Sequence, residues 1–156
     1  MATPLRAGDP APDFSGATTE GKRVTLADYR GRKLVMYFYP MDDTPGCTKQ
    51  ACSLRDHNGE IRAKGAEILG VSTQDEKSHQ AFTKKFDLNF PLLADTDGTV
   101  GRAYGTLGGA GLISKLKSAA GMADRVTFVI DGHGRIAHVI DKPDVANHAA
   151  EVLARH

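Results

Sequence analysis

The chain has 156 residues, a length that fits one domain, and its 40% hydrophobic content is enough for one sizeable core. Its 20 Lys and Arg nearly cancel 19 Asp and Glu, leaving a formal net charge of +1 with no basic run longer than two. That balance argues against a nucleic-acid or membrane-surface role resting on bulk charge.

Weak strand signals around Phe14 and Val24 flank Thr19-Glu20-Gly21-Lys22 and predict an N-terminal hairpin. Leu34-Val35-Met36-Tyr37-Phe38-Tyr39 is a continuous, aromatic-rich run, as expected of a strand buried on both faces. After Pro40 and a turn-like Met41-Asp42-Asp43, Thr44-Pro45 reads as an N-cap with proline in the first helical position. One helix is expected from there to Lys64, stopped by Gly65. Glu67 to Val71 is the next strand, and a helix follows from near Asp75 to Phe86, with Phe82 and Phe86 on one face. Pro91 to Ala94 is a short strand candidate. Gly105 to Asp124 reads as a glycine-rich loop over 108–111 and a short amphipathic helix carrying Leu112, Ile113 and Leu116. Val126 to Ile130 and Ile136 to Ile140 are strands joined by the turn chemistry of Asp131-Gly132-His133-Gly134-Arg135. A last helix starts near Asp144, with Val145, Ala149, Val152 and Leu153 as its apolar stripe.

The order strand, helix, strand, helix, strand, strand, helix combines a parallel crossover with an antiparallel hairpin. It predicts a single domain over 1–156 in the α/β class. The expected architecture is a thioredoxin-like fold, a central mixed sheet flanked by helices with an N-terminal β-hairpin.

No segment approaches the roughly 20 apolar residues of a membrane helix. Met1 to Arg6 holds no apolar stretch of signal-peptide length. A cytoplasmic address is therefore the expectation. In a reducing compartment two cysteines are more often catalytic, redox-active or metal-binding than a structural staple. Cys47 and Cys52 stand five positions apart. With Thr44 as N-cap, Cys47 is the third helical residue, where unpaired N–H groups and the helix dipole favour the nucleophilic thiolate. Asp42 and Asp43 oppose this if they point at the sulfur. A small buried cysteine is the plain alternative for Cys47, and a core-facing residue the plain alternative for Cys52. The histidines at 57, 79, 133, 138, 148 and 156 show no ligand spacing and read as surface or structural residues.

Pro40-Met41-Asp42-Asp43-Thr44-Pro45-Gly46-Cys47 matches the proline–x–x–x–threonine–x–x–cysteine signature of the peroxiredoxins. The run from Tyr37 through Cys52 resembles their Q-type branch, the bacterioferritin comigratory proteins. Gly8 to Phe14 is similar to the family's N-terminal entry, and Arg125 to Asp131 to its late arginine-led strand. Between 105 and 124 the chain departs from many Q-type members, which carry a tryptophan there; this chain has none. The resemblance implies a thiol peroxidase acting on hydrogen peroxide and organic hydroperoxides, with no cofactor. It implies Cys47 as peroxidatic and Cys52 as resolving cysteine, joined as an intramolecular disulfide. Thr44 and Arg125 would line the peroxide pocket, and Pro40 would shield the thiolate. Thioredoxin or glutaredoxin is the implied reductant, and a monomer or weak homodimer the implied state, with no nucleic-acid or membrane partner. Without the resemblance, Thr44 reads as a helix cap, Arg125 as a solvated strand-end charge and Pro40 as a strand terminator.

Three rivals share these residues. A protein disulfide oxidoreductase usually carries Cys-x-x-Cys, which the wider spacing here disfavours. A zinc module needs a second ligand pair, and the sequence shows none. A non-enzymatic holdase would keep its activity without Cys47.

Overall fold

The computed structural model describes residues 3–107 and 122–155. Strands β1 (Ser15–Ala17) and β2 (Arg23–Thr25) form the antiparallel N-terminal hairpin. A 3-10 turn, Leu26–Tyr29, leads into β3 (Lys33–Phe38). Helices α1 (Pro45–Asp56) and α2 (Asn58–Ala63) follow, then β4 (Ala66–Ser72), α3 (Glu76–Phe86) and β5 (Leu92–Ala94). A short helix α4 (Thr99–Ala103) precedes the hairpin of β6 (Val126–Ile130) and β7 (Ile136–Ile140). A 3-10 turn, Val145–Asn147, and α5 (His148–Leu153) complete the described chain.

The main sheet has the order β5-β4-β3-β6-β7. β3 pairs in parallel with β4 and antiparallel with β6, so the sheet is mixed with β3 at its centre. Successive side chains of a strand point to opposite faces, which sorts the apolar run into two cores. Leu34, Met36 and Phe38 pack with Phe14, Tyr104 and Phe128 on one face. Val35, Tyr37 and Tyr39 pack with Cys47, Ala51, Leu54 and Phe82 on the other. The second face carries the cysteine helix. Tyr37 fits there because its neighbour on β4 is Gly70, where a Cβ would lie 3.0 Å from the Tyr37 ring and 2.6 Å from Leu92 Cδ2.

The expected helix to Lys64 is two helices. The break is at His57, whose ring Nδ1 lies 3.0 Å from the Ser53 carbonyl while its own N–H turns to Leu54 O at 3.3 Å. A local bond from side chain to backbone thus replaces the i−4 bond that a continuous helix needs. The last helix also begins later than expected, at His148 after the 3-10 turn. α4 had no counterpart in the pattern, because Gly98 and Gly101 hide it; the buried Asp95 carboxylate holds it by accepting from the Val100 and Gly101 N–H groups at 3.0 and 2.8 Å. The glycine-rich loop at 108–111 and the helix with Leu112, Ile113 and Leu116 fall outside the described residues. Among the described residues, no helix is long and apolar enough to cross a membrane.

Candidate active site

The site forms where β3 ends and α1 begins. Thr44 takes the extended backbone of an N-cap (φ −92°, ψ 156°), Pro45 is the first helical residue, and Thr48 N–H closes the first turn on Thr44 O at 2.8 Å. Cys47 is therefore in the first turn, with the positive end of the helix beneath it. Its side chain is almost wholly buried against Tyr37, Tyr39 and Ala51, and both cysteines are free thiols.

Arg125 reaches this sulfur from just before β6. Positions 125, 127 and 129 share a sheet face with 35, 37 and 39, because Val35 pairs with Val129 and Tyr37 with Thr127. The guanidinium bridges two groups on α1: Nη2 donates to Cys47 Sγ at 3.4 Å and Nη1 to Gln50 Oε1 at 2.7 Å. It also lies over Gly46, where a Cβ would sit 3.2 Å from Nη2. Absence of a side chain at Gly46 is thus what lets the cation approach the first turn so closely.

Thr44 does not cap the helix with its side chain. Its hydroxyl donates instead to Met41 O at 3.1 Å. With its proton committed there, the oxygen keeps its lone pairs for an incoming donor. Pro40 is half-buried at the strand exit, its carbonyl accepting from Gln74 Nε2 at 3.4 Å. The acidic pair does not oppose the thiol through a bond to it. Asp42 is engaged by Tyr39, Ser78 and His79, and Asp43 bonds Lys85 Nζ at 2.8 Å.

Cys52 is half-buried on the same helix, five positions on. On α-helical geometry the two Cα atoms are roughly 9 Å apart with side chains about 140° apart around the axis. A disulfide tolerates at most about 7 Å. The helix must open for the two sulfurs to meet.

Two further groups at the site were not singled out in the sequence. Gln50 is fully buried and orients the Arg125 guanidinium, while its Nε2 has no hydrogen-bond partner among the described residues. Its position one turn after Cys47 was the available signal. Tyr37 is fully buried, and its hydroxyl has no hydrogen-bond partner among the described residues. Burial first, then the nearby Cys47 sulfur, push its phenol well above the ordinary value, so it stays a protonated donor.

Residues 7–139 match the AhpC/TSA family. The chain is 41% identical over 151 residues to the putative peroxiredoxin bcp of Coxiella burnetii, covering 97% of this chain and 98% of that protein. It is also 41% identical over 150 residues to peroxiredoxin Bcp of Escherichia coli K12, covering 96% and 94%. The fold superposes on the bacterioferritin comigratory protein of Xanthomonas campestris with a TM-score of 0.83 at 33% identity, covering 95% of each chain. For PrxQ of Xylella fastidiosa the TM-score is 0.86 at 28% identity, covering 96% of this chain and 94% of that one. The mixed sheet, the helix-start cysteine under an arginine and these near full-length likenesses agree: the chain belongs to the AhpC/TSA family, among the Bcp peroxiredoxins.

Proposed function

We propose that this peroxidase uses Cys47 as the attacking thiolate and Cys52 as its resolving partner, with Thr44, Arg125 and Pro40 shaping the peroxide site. The observation that carries this reading is the Arg125 Nη2 to Cys47 Sγ contact of 3.4 Å at the first turn of α1. The guanidinium and the helix start both place positive charge at the sulfur that attacks the peroxide. The thiolate attacks one peroxide oxygen, the O–O bond breaks, and water or an alcohol leaves with the other oxygen. The developing charge on the leaving oxygen lies among fixed donors, and the Thr44 oxygen accepts the hydrogen of the bound peroxide. Pro40 keeps water from the sulfur. Cys47 is left as a sulfenic acid. Cys52 displaces its hydroxyl as water, forming the disulfide. A dithiol protein, thioredoxin or glutaredoxin, returns both thiols by exchange.

The bonding along α1 supports opening of its first turns alone. From Ser53 onward the helix is tied down: Ser53 Oγ accepts from Ala149 N–H at 3.1 Å, Arg55 Nη1 donates to Phe86 O at 2.5 Å, and Asn89 Nδ2 donates to Arg55 O at 3.1 Å. Cys52 sits just before this anchored half, so unwinding of 45–52 brings Cys47 to it. The Xanthomonas campestris relative is described by its alkyl peroxide reduction activity, which favours organic hydroperoxides beside hydrogen peroxide as substrates. Among the described residues Met41 is the one exposed large hydrophobic, which fits a monomer or weak homodimer. A cytoplasmic setting fits a pair that needs a dithiol reductant.

Peroxide turnover of Cys47→Ser and Cys52→Ser tests the assignment. Cys47→Ser is expected to be inactive. Cys52→Ser is expected to react once and stall as a sulfenic acid until a thiol is added. Turnover by Cys47→Ser equal to the unaltered protein would refute the reading.

A further inference from the structure

The loop that delivers the chain into α1 is fastened by a buried contact between a carboxylate and an imidazole. Asp42 is 9% exposed and lies between Pro40 and Thr44. Its Oδ2 faces His79 Nδ1 at 2.6 Å and accepts from Ser78 Oγ at 2.7 Å, while its Oδ1 accepts from the Tyr39 hydroxyl at 2.6 Å. His79 is fully buried and turns Nε2 to the Leu93 carbonyl at 3.0 Å. Both ring nitrogens thus face acceptors, the Asp42 carboxylate on one side and a main-chain carbonyl on the other. Burial alone would raise the Asp42 carboxyl, but the bonds and charge of His79, with those of Tyr39 and Ser78, hold it below its ordinary value.

The backbone of the loop is fastened at the same place. Asp42 N–H donates to Gln74 Oε1 at 3.0 Å, and Gln74 Nε2 donates to Pro40 O. The next residue, Asp43, has φ 61°, a left-handed conformation that a non-glycine residue keeps where its surroundings over-determine it. The partners of Asp42 come from the end of β3, from α3 and, through His79, from β5. All three lie outside the turns of α1 that must open for resolution.

We propose that the Asp42–His79 pair is a latch on the start of α1, positioning Pro40 and Thr44 around Cys47 for oxidation and holding back the unwinding that brings Cys47 to Cys52. The inference rests on the reading of these cysteines as a peroxidatic and resolving pair. Asp42 and His79 are positioning residues that touch neither sulfur. Removing His79 leaves the buried Asp42 carboxylate without a main partner, and the left-handed Asp43 backbone is then free to relax. The two half-reactions respond with opposite signs: oxidation slows because the pocket walls drift, and disulfide formation speeds up because the helix opens more readily.

Rapid-quench mixing with peroxide, followed by intact mass, resolves the two steps as gain of one oxygen and then loss of two hydrogens relative to the dithiol. For His79→Gln we expect the oxidation constant to fall and the disulfide-forming constant to rise, each by about fivefold or more. Doubly oxygenated Cys47 at high peroxide should fall in step. Tyr39→Phe and Ser78→Ala each delete one bond to the same carboxylate and should show the same signs more weakly, which keeps the test open if His79→Gln fails to fold. Amide exchange should quicken over 45–52 and stay unchanged in β4. Unchanged constants, or slower disulfide formation in the folded variants, overturns the latch. If the unaltered protein forms no Cys47–Cys52 disulfide, the reading beneath it fails instead.

Discussion

Replacing Arg125 by lysine keeps a positive charge near Cys47 and removes the fork. The guanidinium serves two acceptors at once, Gln50 Oε1 at 2.7 Å and Cys47 Sγ at 3.4 Å. A single ammonium at the end of a flexible stem does not reproduce that planar, two-pronged geometry. Gln50 is fully buried and its oxygen is the nearer acceptor, so the ammonium is drawn to that oxygen and away from the sulfur. A hydrogen bond to a charged group is worth about 1.5–3 kcal/mol. Loss of even the lower figure at the transition state slows oxidation by roughly tenfold. The chain has no tryptophan, so the step is best followed by rapid-quench mixing with an alkylating agent and intact mass. Oxidation of Cys47 should slow by at least about tenfold in Arg125→Lys, with reduction of the disulfide by thioredoxin changing much less. An oxidation rate equal to that of the unaltered protein would return Arg125 to a solvated strand-end charge.

Stabilising α1 should slow disulfide formation, but Gly46→Ala is a poor probe because its methyl would meet Arg125 Nη2 at 3.2 Å; it should slow oxidation as well. Thr48→Ala, a half-buried helical position, adds a few tenths of a kcal/mol of helix propensity and should slow disulfide formation alone in the same rapid-quench assay. Gly70→Ala drives a methyl into Leu92 and the Tyr37 ring and should lower stability by about 1–3 kcal/mol in urea titrations. His148 is fully buried between Thr127 Oγ1 at 2.8 Å and Glu151 Oε1 at 2.9 Å. Burial, the leading influence, lowers its imidazole below the ordinary 6.5 despite Glu151. The unfolded chain then takes up a proton that the folded one refuses. Stability should therefore fall as pH drops below 6.5, by at most about 1.4 kcal/mol per pH unit from this group. Urea titrations between neutral and mildly acidic pH should show a smaller loss in His148→Gln.

Much of this was legible because it is local. The run from Leu34 to Tyr39 fills two cores by simple alternation, and the turn residues between 130 and 136 place the β6–β7 hairpin. Thr44-Pro45 marks the start of α1 and thereby places Cys47 in its first turn. Arg125 needed the family resemblance, since a strand-end arginine has no local signature of its own. What escaped depends on contacts between distant segments or on single side-chain bonds. Asp42 and His79 are 37 residues apart, and neither has a neighbour in sequence that announces the pair. The end of α1 turns on one bond from the His57 ring to Ser53 O. The Thr44 hydroxyl chooses Met41 O over the helix N–H groups, a choice between two local partners that residue preference does not decide.

Turnover by this route requires that reaction with peroxide join Cys47 to Cys52. The most direct measurement is the intact mass of the reduced protein under non-reducing, thiol-blocking conditions, before and after one equivalent of peroxide. Loss of two hydrogens is expected, with both thiols closed to alkylation and a peptide cross-link between 47 and 52 after digestion. Gain of oxygen at Cys47 with Cys52 still open to alkylation, or a mass unchanged by peroxide, would contradict that route.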